Sequence, residues 1–187
     1  YRGADGSGDT TAEEGRAPFT TTFTSMPWLK AIDVESATPA RAIVMFGDSI
    51  TDGTCTTLDA HDRWEDLLSV RLGLAYNDAP PARRGSLLSV VNEGIGGNTV
   101  TREGLTPGPD STPGLERFER DVLGHHGVSD VLVFMGTNDI RRGARAAQVI
   151  DGLAKISRRI EGATAFGHLG HKWRRTMFSR IKLPASH

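Results

Sequence analysis

Ala42-Ile43-Val44-Met45-Phe46-Gly47-Asp48-Ser49-Ile50 is an unbroken apolar run that turns sharply through Gly-Asp and delivers a serine. Five consecutive apolar residues bounded by turn formers read as a short strand. Because the run is continuous rather than alternating, the strand is expected to be covered on both faces, as parallel strands are. The same pattern recurs twice. Leu87-Leu88-Ser89-Val90-Val91 leads to Gly94-Ile95-Gly96-Gly97-Asn98, and Val131-Leu132-Val133-Phe134-Met135 leads to Gly136-Thr137-Asn138-Asp139. Between these runs lie helical spacings: Trp64, Leu67, Leu68 and Leu72; Leu115, Phe118, Val122 and Leu123; and, over 144–160, Val149, Ile150, Leu153, Ile156 and Ile160. Strand alternating with helix predicts an open α/β sheet with right-handed crossovers. Ligands bind such sheets beyond the carboxyl ends of the strands, which is where all three polar motifs fall.

Residue chemistry allows several readings of these motifs. Gly-Asp-Ser can be a turn and nothing more, since all three residue types favour turns. Residues 94–98 are a poor phosphate cradle, lacking the Lys and the spacing of a P-loop. Asn138 and Asp139 can cap the following helix, the simpler reading for Asp139. Asp48 is expected to anchor its turn rather than act as a base, because side chains alternate along a strand.

Taken in order, Gly47-Asp48-Ser49, Gly96-Gly97-Asn98 and Gly136-Thr137-Asn138-Asp139 resemble the motifs of the GDSL family of SGNH hydrolases, serine esterases and lipases. The resemblance covers about 42–160. It implies a flavodoxin-like three-layer α/β/α fold with a parallel sheet. It also implies that Ser49 is the nucleophile and that the backbone N–H groups of Ser49 and Gly97, with the Asn138 amide, receive the oxyanion. Gly97 suits that task because a residue without Cβ reaches unusual dihedrals and lets substrate approach. Asn138 donates without the desolvation cost of a buried cation. Thr51 stands where an α/β-hydrolase elbow would place its second Gly.

The family's fourth motif, Asp-x-x-His, has no counterpart: Asp59 to His61 is one residue too short and Asp121 to His125 one too long. Residues 162–187 hold no strand-length apolar run and carry five basic and no acidic residues, a compositional break that suggests a truncated or frame-shifted continuation. The fold is therefore expected to be incomplete at its carboxyl end. Three segments are expected: a flexible stretch over 1–40 that closes an upstream region, with strand-like pieces at 19–24 and 26–34; a partial hydrolase domain over 41–161; and a basic tail over 162–187. Trp173, Met177, Phe178 and Ile181 fall near one helical face of that tail, a pattern of surface-binding helices.

With 187 residues and a formal net charge of −1, bulk electrostatics call for neither nucleic acid nor a membrane. No apolar stretch approaches the ~20 residues of a transmembrane span. The single Cys55 excludes an internal disulfide and is expected to be a packing residue. His125 and His126, between Gly124 and Gly127, are expected to stabilise a helix end rather than bind metal. His168 and His171 lack Cys or carboxylate partners for a metal, and His61 is expected to shape a pocket mouth. No metal or organic cofactor is expected. Two functions remain open: an ester hydrolase acting on a small-molecule, carbohydrate or lipid ester without its general base in this chain, and a non-catalytic ester- or glycan-binding module. Export is compatible with either, and the oligomeric state is left open.

Overall fold

The computed structural model of the chain describes residues 3, 6, 8–10, 12–21 and 29–165. Two compact units divide it at 34/35. In the first, backbone hydrogen bonds close turns from Thr10 to Glu13 and from Arg16 to Phe19. Of the strand-like pieces expected there, residues 22–28 lie outside the described residues, as does the basic tail from 166 onward with its His168, His171 and apolar stripe.

The second unit carries strand β1 (Ala40–Gly47), the short helix α1 (Ser49–Asp52), α2 (Trp64–Asp78), β2 (Leu87–Gly94), α3 (Gly114–Phe118), β3 (Val128–Phe134), α4 (Thr137–Arg141) and α5 (Ala146–Ala165). A π-helical turn, Glu119–Leu123, prolongs α3. All three strands are parallel, in the order β2-β1-β3. The central strand is buried on both faces, with Val44, Met45 and Phe46 at most 1% exposed. This is the behaviour its unbroken apolar run predicts.

One face of the sheet holds the main core. Val44 and Phe46 meet Phe118 and Val122 from α3 and its extension, and Val149 and Ile156 from α5. Phe46 and Phe118 pack edge to face with centroids 5.6 Å apart, an arrangement that contributes about 0.5–1.5 kcal/mol beyond area burial. On α2, Trp64, Leu68 and Leu72 are half-buried, whereas Leu67 is exposed. Successive residues at i+4 share a stripe, and Leu67 belongs to the next one, with Val70 and Leu74, both exposed. Ile150 of α5 likewise faces out while Val149 and Ile156 are buried. The apolar spacing located these helices but overstated the width of their buried faces.

Register then sets the level of the loops. Gly47 is paired with Gly94 on one side and with Phe134 on the other, so all three strands end side by side. The three polar motifs consequently leave one edge of one sheet.

Candidate active site

Ser49 opens α1 immediately after β1. Asp48 is the N-cap, 2% exposed, with its carboxylate accepting the Ile50 N–H at 3.0 Å. It anchors the turn, as expected from strand alternation. The turn is tight: a Cβ on Gly47 would lie 2.1 Å from Thr51 Oγ1, and one on Gly94 would lie 2.1 Å from the Asp52 nitrogen. Only glycine lets the ends of β1 and β2 pass so close to α1. Asn92 reinforces the contact by donating to the Thr51 carbonyl at 2.5 Å.

Gly97 sits at φ +70°, in the left-handed region that glycine enters freely. The nearest atom to an added Cβ is an Arg142 guanidinium nitrogen at 3.9 Å. A side chain there is disfavoured by the backbone, not by crowding from the protein. Asn98 next to it is fully buried and donates to Ser111 Oγ at 2.9 Å and to the Thr112 carbonyl at 2.8 Å. Asn138, at the start of α4, donates its side-chain N–H to the Asn98 carbonyl at 2.9 Å. Asn138 and the Gly97 loop are therefore joined directly, with the second Asn138 amide hydrogen left for another acceptor.

Asp139 has a different task from the helix cap expected of it. No side chain among the described residues caps α4. The Asp139 carboxylate, fully buried, instead accepts the N–H groups of Val100 at 2.8 Å and Thr101 at 3.0 Å. Its loop partner lies nearly 40 residues away, which no local pattern conveys.

His125 and the cysteine also depart from expectation. His125 is tied by Nε2 to Glu93 Oε1 at 2.6 Å, across to β2, rather than to the end of its own helix. Cys55 is exposed, not packed: the loop after α1 holds Cys55, Asp59 and His61 at positive φ and keeps all three on the surface. Among the described residues no three His, Cys, Asp or Glu side chains gather as a metal site.

Sequence reasoning missed Arg117. Its side chain is fully buried and paired with Asp121 at 3.1 Å. It also donates to Asn98 Oδ1, to the Gly47 carbonyl and to the Glu93 carbonyl. Burial holds the guanidinium below its usual pKa, offset in part by Asp121. Burial raises the Asp121 pKa, but hydrogen bonds from Arg120 and Arg117 outweigh it and hold the carboxyl below the usual range. The i, i+4 spacing of Arg117 and Asp121 was the available signal, although such pairs are usually solvated.

No curated protein sequence matches the chain. Among solved structures it is similar to AlinE4, an SGNH-hydrolase family esterase, at 23% identity and TM-score 0.51, covering 68% of this chain and 56% of that one. A serine-to-alanine variant of AlinE4 gives 22% identity and TM-score 0.52 over 69% and 57% of the two chains. The aryl esterase of M. smegmatis gives 23% and 0.49 over 72% and 60%. The chain thus spans little more than half the length of AlinE4, and at these identities the likeness concerns the fold. The model of the GDSL-like lipase/acylhydrolase family matches residues 45–177, most of the chain. With its parallel α/β sheet and three strand-end motifs, the chain belongs to the GDSL-like lipase/acylhydrolase family.

Proposed function

We propose that the chain carries the nucleophile and oxyanion pocket of an ester hydrolase. Ser49 Oγ attacks the ester carbonyl carbon, and the carbonyl oxygen takes up the negative charge as the tetrahedral intermediate forms. That oxygen accepts hydrogen bonds from the N–H groups of Ser49 and Gly97 and from the side-chain amide of Asn138. Collapse breaks the ester C–O bond, and the alkoxide leaves as the alcohol with the proton given up by Ser49 Oγ. An acyl-enzyme remains on Ser49, and water then adds to it, returning a proton to Oγ as the acid is released. Donors held ready for that charge each contribute about 10² to 10³ in rate. A general-base His is assigned to no residue of this chain, which contains no Asp-x-x-His spacing. Substrates are acyl or acetyl esters of small molecules, carbohydrates or lipids.

The observation that carries this reading is the register that ends β1, β2 and β3 together, with Asn138 bonded to the Gly97 loop. A second reading is a module that binds esters or glycans without turnover. One experiment separates them. The purified chain is incubated with p-nitrophenyl acetate, release is followed, and the protein is analysed by mass spectrometry for an acetyl group on Ser49. Slow release with a Ser49 adduct, both lost in Ser49→Ala, supports the hydrolase. Equal release from Ser49→Ala removes Ser49 as nucleophile.

A further inference from the structure

Arg117 has no place in the chemistry just proposed, yet it touches each part of the frame that holds it. Its Nη2 donates to the Gly47 carbonyl at 2.9 Å, the last residue of β1 and two before Ser49. The same nitrogen donates to the Glu93 carbonyl at 3.0 Å, next to the end of β2. Its Nε donates to Asn98 Oδ1 at 3.1 Å, within the loop that carries Gly97. Through Asn98 the link continues to Asn138, whose amide donates to the Asn98 backbone carbonyl. Asp121 neutralises the charge, and the guanidinium carbon lies 4.1 Å from the Phe46 ring centre, in cation–π range.

Stability alone is a poor reason for this arrangement. A buried ion pair is often no better than apolar residues of equal volume, because desolvation offsets the attraction. A planar fork of fixed N–H directions does something an apolar side chain cannot: it sets the relative positions of several carbonyls at once.

We propose that Arg117 is a positioning residue, the common strut that sets the Ser49 turn, the Gly97 loop and, through Asn98, Asn138 in fixed relation to one another. The role assigned to this geometry rests on the esterase reading; the geometry itself does not. Lysine keeps the charge but offers a point donor that cannot span the same acceptors, so Arg117→Lys is the informative change. Asn98→Ala is its companion, because it leaves Arg117 in place and cuts the branch to Gly97 and Asn138, together with the Asn98 amide's own bonds to Ser111 and Thr112.

Two measurements on the full chain test the proposal. Amide hydrogen exchange of Ile50 in the Ser49 turn and of Asn98 in the Gly97 loop, whose N–H groups are bonded to Asp48 and to Ile95, is compared with that of Ile156 in the core. Phenylboronic acid, which forms a tetrahedral anion on a serine oxygen, is titrated into the parent and each variant. Arg117→Lys is expected to speed exchange at Ile50 and Asn98 about tenfold or more while Ile156 is unchanged. It should also weaken boronate binding by about 10- to 100-fold, the scale of a displacement near 1 Å. Asn98→Ala should speed exchange at position 98 and spare Ile50. Exchange that rises equally at Ile156, or not at all, overturns the strut. If Arg117→Lys does not fold, unchanged exchange at position 98 in Asn98→Ala overturns it. Parent and Ser49→Ala binding phenylboronic acid alike removes the esterase reading and with it the purpose given to Arg117. Ser49-dependent binding that Arg117→Lys leaves intact removes Arg117 alone.

Discussion

Glu65 gives a prediction that depends on no assumption about catalysis. It lies in the first turn of α2, is 3% exposed, and neither carboxylate oxygen has a hydrogen-bond partner among the described residues. Burial, opposed by the backbone amide and Arg63 and assisted by Asp66 and Asp52, pushes its pKa from 4.5 up to about 7. The folded chain therefore holds this proton more tightly than the unfolded one. The associated stability is fully present below pH 4.5, falls as pH rises, and is gone above about 7. At about 1.4 kcal/mol per pKa unit, the ceiling on this loss is about 3 kcal/mol. Glu65→Gln keeps the shape and abolishes the titration. Urea unfolding followed by circular dichroism at pH 5 and pH 8 should show the variant losing about 2–3 kcal/mol less than the parent between the two conditions. Taking the difference of differences cancels the titrating groups that do not interact with Glu65. An equal pH 5 to pH 8 change in both proteins would refute the reasoning, and would mean that the Glu65 carboxyl is hydrated in solution.

Appending a family-type carboxyl-terminal segment bearing Asp-x-x-His should generate esterase activity; in that protein Asn138→Ala should lower kcat about 10²- to 10³-fold with little change in KM, since the donor serves the transition state. An unchanged kcat would leave Asn138 as a loop tether to Asn98. Gly97→Ala should reduce the same activity through backbone strain at φ +70°, and an alanine variant with full activity would show that the loop relaxes. Asp139→Ala strips the partner from two buried N–H groups and should cost about 2–4 kcal/mol in urea unfolding. Exposed Leu67, Val70 and Leu74 on α2 should promote self-association, so Leu67→Lys should lower the mass seen by light scattering; no change would place the contact elsewhere.

How far the sequence reaches is clearest at β1 and α5. The unbroken apolar run at 42–46 and the turn residues after it gave strand, burial and turn, because continuous apolarity and Gly-Asp chemistry are local properties. β2 and β3 were located equally well, although each extends beyond its apolar run, to Gly94 and from Val128. The short α4 carried no visible period and was not foreseen. Cys55 and Ile150 were misjudged because apolar character predicts burial only where another element arrives to cover it.

Sequence by itself determined the strand–helix alternation, the three strand-end motifs and hence the family. These depend on residue types within a few positions of one another. Tertiary structure alone decided what ties the motifs together: Asp139 gripping Val100 and Thr101, Asn138 bonded to Asn98, and Arg117 joined to Gly47 and Glu93. Each of these bonds closes a loop of more than 20 residues, and in each at least one partner is a backbone C=O, which every position supplies, or a backbone N–H, which every position except Pro supplies. A sequence offers no means of choosing among such partners. The parallel register chooses by ending three strands at one level, and it also buries the donors away from water, where leaving one unpaired is costly.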